Sequence, residues 1–212
     1  RKDPEANVEF YISSGYPAGA VLHYLRGLAN SRLAEMSFEE SATAHIALND
    51  CGVAGPIFDL IKLESISREY ISQMSIEQTQ KSLLDWAESY DRPLAEILHS
   101  DAALTQRLLA MEREPGAIQR KDISKWGDFR SVYGLFYSSL FSPVTDAADP
   151  RFNPVDPATV RSLAKGFADS YQHSPDKEAW FEQIRALAVK HAFAPSAAEF
   201  KKARQSFAGS IS

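Results

Sequence analysis

The sequence predicts an all-α protein built from two to three small helical subdomains in an elongated arrangement. Helix-start signals recur along most of the 212 residues, and strand-like alternation of polar and apolar residues is nearly absent. A proline-rich stretch and a softer break divide the helical segments. The predicted subdomains are therefore residues 1–73, 74–148 and 149–212.

The first 78 residues carry two capping boxes and three breaks. Gly15–Gly19 predicts a break between helices, and Cys51–Pro56, with two glycines and a proline, predicts a loop. Ser37–Glu40 forms a capping box, in which a hydroxyl and a carboxylate satisfy free backbone N–H groups. Ser75–Gln78 forms a second one after a break near Ser72–Ser75. Helices are therefore expected to begin just after Ser37 and Ser75.

The rest of the chain continues the helical pattern. Apolar residues recur at helical spacing from Ile76 to Tyr90. Ser142–Pro157 contains four prolines and three aspartates, which is typical of a connector between domains. Asp156-Pro157 and Ser174-Pro175 each pair an N-cap residue with a proline at the first helical position, and Ser196 begins a last predicted helix.

Composition excludes several classes of protein. Hydrophobic residues make up 44% and charged residues 24% of the chain, which is typical of a folded globular protein. No window approaches eighteen apolar residues, so we expect no membrane span. The single cysteine, Cys51, excludes a disulfide framework and a cysteine-rich zinc site, and it fits a cytoplasmic location. The net charge of −5 means that any nucleic-acid binding must come from a local patch.

No group of residues has the pattern of a catalytic site. The five histidines are scattered, no glycine-rich phosphate loop is present, and the paired serines have no neighbouring base. We therefore expect no catalytic residue, metal site or cofactor in this chain.

The charges are unevenly distributed along the chain. Residues 113–130 carry a net charge of +2 and residues 185–212 a net charge of +4, which leaves −11 on the remainder. Trp126 and Phe129 are interleaved with the first basic stretch, a mixture that suits stacking on unpaired RNA bases. The alternative is that the cations line a solvated face while Trp126 fills the core. Spacing alone leaves both interpretations open.

Three blocks stand out near the start of the sequence: Arg1–Val8 with Gly15-Tyr16-Pro17 and Ala20–Leu25, then Ile57–Leu63, then Tyr70-Ile71. In their order and spacing they resemble class I glutamate–tRNA ligases, in the part just downstream of the Lys-Leu-Ser-Lys loop. The resemblance continues through Leu104–Phe136, which is similar to the helices that open the anticodon-binding region. The paired ligase for glutamine has an anticodon module of β-barrels, so the helical pattern favours the bacterial glutamate type.

The resemblance implies the C-terminal portion of such an enzyme. Residues 1–73 would be the stem-contact domain, and 74–148 and 149–212 two parts of the helical anticodon-binding region, the second truncated. A missing N-terminal catalytic domain would use ATP with magnesium to activate glutamate and esterify it to tRNA. This fragment alone would be inactive. Its partner would be glutamate tRNA, with glutamine tRNA left open, and no membrane.

The resemblance and the charge pattern together suggest residues that contact tRNA. Arg113 is the expected anticodon reader, because it lies near the place where the family has a base-reading arginine. Trp126 would either stack on a base or support the core. The expected backbone contacts are Arg120, Lys121, Lys125, Arg130, Lys201, Lys202 and Arg204, with Lys62 and Arg68 facing the tRNA stem. Two other hypotheses are a helical protein-interaction module without RNA binding and, least favoured, a free-standing enzyme.

Overall fold

The computed structural model describes residues 3–52, 55–113, 119–146, 149–150 and 156–191. Within these ranges the chain forms helices and no strand, so the predicted all-α class is confirmed. The chain divides into two compact units, residues 1–142 and residues 143–212. None of the described helices has both the length and the apolar character needed to cross a bilayer.

The first unit contains nine α-helices among its described residues. They are α1 (Val8–Ser14), α2 (Ala18–Ala29), α3 (Ser31–Ala34), α4 (Phe38–Thr43), α5 (Leu60–Gln73), α6 (Ile76–Tyr90), α7 (Arg92–Ser100), α8 (Ala102–Ala110) and α9 (Phe129–Tyr133). Short 3₁₀ helices occupy Pro4–Ala6, Leu48–Asp50, Trp126–Asp128 and Gly134–Phe136.

Local capping signals determine where many of these helices begin. Both predicted capping boxes form, so α4 starts after Ser37 and α6 after Ser75. Asp91 and Asp101 then cap α7 and α8, with side chains that accept from backbone N–H groups at 3.2 and 3.3 Å. Because each aspartate directly follows the preceding helix, α6, α7 and α8 succeed one another with almost no connecting loop.

Two hydrophobic clusters hold the first unit together, and α5 contributes to both. Leu63 packs with Tyr16 and Tyr24 in one cluster, whereas Ile71 packs with Leu83 and its neighbours in the other. The second cluster also includes residues of α7, α8 and α9. The subdomain boundary predicted after residue 73 therefore falls inside one compact unit, because α5 joins the two cores.

The second unit contains α10 (Pro157–Ser170) and α11 (Lys177–Lys190) among its described residues. Leu163 is 1% exposed and packs with Leu187 and Ala188 of α11. The helix α10 starts as predicted, with Asp156 as its cap. The start predicted at Ser174-Pro175 is wrong by two residues. Asp176 caps α11 instead, while the Ser174 hydroxyl accepts from the Asp176 N–H at 3.1 Å and forms a preceding turn.

Candidate nucleic-acid interface

The segment 119–130, here called the basic segment, is attached to the turn between α1 and α2. The Trp126 N–H donates to the carbonyl of Gly15 at 2.9 Å. Gly15 ends α1 with φ of 88°, in the left-handed region, and a Cβ there would lie 2.8 Å from the Cβ of Trp126. The Trp126 side chain itself is 5% exposed and belongs to the main core. Of the two interpretations of Trp126, this burial favours the structural one.

Lys125 connects the basic segment to α5. Its Nζ lies 3.1 Å from Oε1 of Glu64 and 3.4 Å from Oδ1 of Asp128, and 5.2 Å from the ring centroid of Tyr16. Burial opposes the charged ammonium, but the hydrogen bond to Glu64 and the charge of Asp128 prevail and raise the pKa of Lys125. Arg68 shares the Glu64 carboxylate at 3.5 Å. The Lys125 ammonium is thus held between carboxylates of α5 and of its own segment.

Two further cations of the basic segment form pairs nearer to solvent. Lys121 pairs with Glu69 of α5, and Arg120 pairs with the nearby Asp122. The hydrogen bond from Lys121 lowers the pKa of Glu69. The Lys121 side chain is 45% exposed, so solvent screens this pair and we expect it to contribute little to stability.

Arg130 makes the best-defined ion pair of the segment. Its Nε and Nη2 donate to the two carboxylate oxygens of Asp91 at 2.5 and 2.6 Å, a bidentate geometry. The hydrogen bond from Arg130 lowers the pKa of Asp91, although burial acts in the opposite direction. Since Asp91 also caps α7, this pair fixes the basic segment to the start of that helix.

Arg113, the expected anticodon reader, lies among the core helices. Its Nη1 donates to Oγ1 of Thr79 at 3.1 Å and its Nη2 to the carbonyl of Ile71 at 3.2 Å. Burial lowers the pKa of Arg113, against the opposing charges of Tyr133 and Asp122. The guanidinium thus links the last turn of α5 to α6, and base reading by Arg113 stays a prediction.

The remaining predicted contacts are dispersed. Lys62 is exposed on the first turn of α5, where its backbone N–H donates to Asp59 and its side chain has no partner among the described residues. Arg68 is occupied by Glu64. Lys201, Lys202 and Arg204 lie outside the described residues. The structure therefore brings Arg120, Lys121, Lys125 and Arg130 together on one segment but pairs each with a carboxylate.

Including Lys62, six cations make no side-chain hydrogen bond or ion pair among the described residues. Except for Lys62, they were not among the predicted contacts, because net charge in a sequence window does not distinguish paired from unpaired cations. Two of them, on α10, could have been found from the sequence, because they are the only charged residues between Pro157 and Ala168. The six are Arg32, Lys62, Arg107, Arg161, Lys165 and Lys190.

The recess beside the α1–α2 turn and the reactive groups of the described residues do not favour an anion. A cleft of about 450 Å³ beside the α1–α2 turn is lined by Tyr70, Trp86 and Tyr90, and its charged lining residue is Asp85. Within the described ranges no group of three or more His, Cys, Asp or Glu side chains is placed to hold a metal ion. Cys51 is a free thiol.

Comparison with known proteins identifies the relatives of this all-α chain. No family model matches it. The glutamate–tRNA ligase of Sorangium cellulosum (strain So ce56) is 34% identical over 220 residues, covering 100% of this chain and 37% of that protein. The ligase of Clostridium perfringens (strain 13 / Type A) is 29% identical over 218 residues, and that of Acetivibrio thermocellus 27% over 217.

These three relatives are all glutamate–tRNA ligases, and each aligns with the whole of this chain. The chain is therefore homologous to the glutamate–tRNA ligase family along its entire length, and the resemblance found in its sequence blocks is confirmed. It spans 37–39% of the length of these relatives.

Proposed function

We propose that this chain is the tRNA-binding, C-terminal part of a glutamate–tRNA ligase, comprising the stem-contact domain and most of the helical anticodon-binding region. The observation that carries the proposal is similarity to these ligases over the full chain, together with the all-α fold. In the whole cytoplasmic enzyme, a separate catalytic domain would activate glutamate with ATP and magnesium. This chain would supply tRNA affinity and orientation, and would show no ATP–pyrophosphate exchange by itself.

The direct test is binding of a glutamate tRNA transcript to the 212-residue chain across a salt series. A protein that contacts several phosphates releases counterions on binding, so its affinity falls steeply as salt rises. We expect saturable binding with a negative slope of log affinity against log salt. A chain that binds no tRNA even at the lowest ionic strength would overturn the proposal. Parallel titrations with glutamine tRNA and an unrelated tRNA measure specificity.

The competing function is a helical protein-interaction module. One observation favours it: Ile57 is 88% exposed and Ile61 is 78% exposed, which is unusual for large apolar side chains so close together in the sequence. Such a module would bind its partner with little dependence on salt and would ignore tRNA. The same titration therefore separates the two functions.

A further inference from the structure

The outer face of α10 is the described surface that best fits an RNA backbone. Its exposed positions include Arg161, Ser162 and Lys165, together with Ala158 and Ala168. Arg161 and Lys165 are four residues apart, so they lie on one side of the helix about 6 Å apart along its axis. Because the other residues are small, a phosphodiester chain can approach the helix closely between the two cations.

The two cations are free to bind, unlike those of the basic segment. Neither Arg161 nor Lys165 makes a side-chain hydrogen bond or ion pair with another residue of the described ranges. Among the described residues two carboxylates lie near this face. Asp169, one turn beyond Lys165, does not pair with it within 4.0 Å, and Asp146 lines the same cleft as Arg161 without an ion pair between the two. The other aspartate of α10, Asp156, is engaged in capping the helix at Thr159.

The packing of α10 against α11 keeps this face outward. Leu163 is 1% exposed against Leu187 and Ala188. At Gly166 the helices approach so closely that an added Cβ would lie 3.0 Å from both Leu187 and His191. This contact fixes the rotation of α10, so Arg161 and Lys165 are held on the side opposite Leu163.

We propose that Arg161 and Lys165 form a contact site for successive phosphates of one tRNA strand. The proposal rests on the proposed function, and it assigns the phosphate contacts to α10 rather than to the paired cations of residues 119–130. Arginine and lysine are the side chains that neutralise phosphates, and an unpaired cation gives up no existing ion pair when it binds one.

The test compares two double variants of the 212-residue chain with equal loss of charge. Arg161→Gln with Lys165→Gln removes the α10 cations. Lys81→Gln with Arg92→Gln removes two exposed cations that already have carboxylate neighbours one turn away. Binding of the glutamate tRNA transcript is measured at several salt concentrations, and circular dichroism verifies that helix content is retained.

We expect the α10 variant to lose about two units of salt slope, so that raising salt fourfold weakens wild-type binding about tenfold more than it weakens the variant. The control variant should keep the wild-type slope. Asp169→Asn, which removes the carboxylate from this face, should tighten binding.

Each outcome has a distinct meaning. A wild-type chain that binds with a salt slope, while the α10 variant binds identically, overturns the α10 site and leaves the proposed function intact. Equal losses in both double variants would indicate a general charge effect and also overturn the site. A wild-type chain that does not bind tRNA removes the proposed function and this inference together.

Discussion

The basic segment and the outer face of α10 are both cationic in sequence, yet their charges are used differently. In the basic segment, Lys125 and Arg130 bind carboxylates of other elements and join α5 and α7 to the segment. On α10, Arg161 and Lys165 make no side-chain hydrogen bond or ion pair with any residue that the structure describes. The comparison teaches that a basic stretch of sequence does not distinguish cations that join elements of the fold from cations that remain available to a partner.

The largest expected effect concerns Arg113, whose half-buried guanidinium donates to Thr79 and to the Ile71 carbonyl. Arg113→Leu removes two charge-assisted hydrogen bonds, although the Ile71 carbonyl still accepts from the Met74 N–H at 3.2 Å. We expect the free energy of unfolding to fall by about 3 kcal/mol. Arg107→Leu removes an exposed, unpartnered arginine of α8 and should change it by less than about 0.5 kcal/mol. Urea unfolding measures both variants.

The Arg113 variant also separates the structural role from anticodon reading. If Arg113→Leu keeps wild-type stability but loses tRNA affinity, the arginine reads RNA rather than supporting the core. Arg113 would then resemble Arg161 and Lys165, which are proposed to contact RNA, rather than the cations of the basic segment, which join elements of the fold.

A pH effect of similar size is expected from Tyr133, next to the basic segment. Burial and the hydrogen bond to Asp122, at 2.9 Å, raise the pKa of Tyr133 to about 12. Folding therefore favours the neutral phenol. The contribution of the neutral phenol to the free energy of unfolding is fully present below pH 10, where the unfolded phenol is also neutral. It is lost as pH rises through about 12. The total loss is roughly 3 kcal/mol.

Tyr133→Phe tests this assignment, because a phenylalanine cannot ionise. Unfolding free energies of the variant should decline less steeply than those of the wild type between pH 10 and pH 12. Identical alkaline curves for the two proteins would show that Tyr133 is not the group responsible.

The contribution of the Arg130–Asp91 ion pair to stability can be measured by comparing Asp91 with Asp101, a second aspartate that caps a helix. Asp91→Ala removes both a helix cap and an ion pair, whereas Asp101→Ala removes a similar cap that has no arginine. We expect losses of about 2 and about 1 kcal/mol in the free energy of unfolding. Equal losses would mean that Arg130 contributes nothing through Asp91, and RNA could then bind Arg130 without loss of stability.

The helices were predictable from the sequence because their signals are local. Ser37 and Ser75 each contact a partner three residues away, so a window of four residues contains the whole capping box. The partners of Lys125 and Arg130, by contrast, lie 61 and 39 residues away. No window of sequence contains both members of such a pair. The charge pattern could therefore locate the cations but not show that they were occupied.

The smallest expected effect on stability is that of removing the two α10 cations. Arg161→Gln and Lys165→Gln replace exposed, unpartnered side chains with a residue of comparable helix propensity, so unfolding free energy should change by less than about 0.5 kcal/mol. Thermal unfolding followed by circular dichroism measures this. A loss above 1 kcal/mol would show that these cations stabilise α10, and reduced tRNA binding by the variant would then have a structural cause. If stability is retained, a lower salt slope of the variant identifies α10 as a phosphate contact. Cations that bind a partner rather than the fold can be replaced without loss of stability.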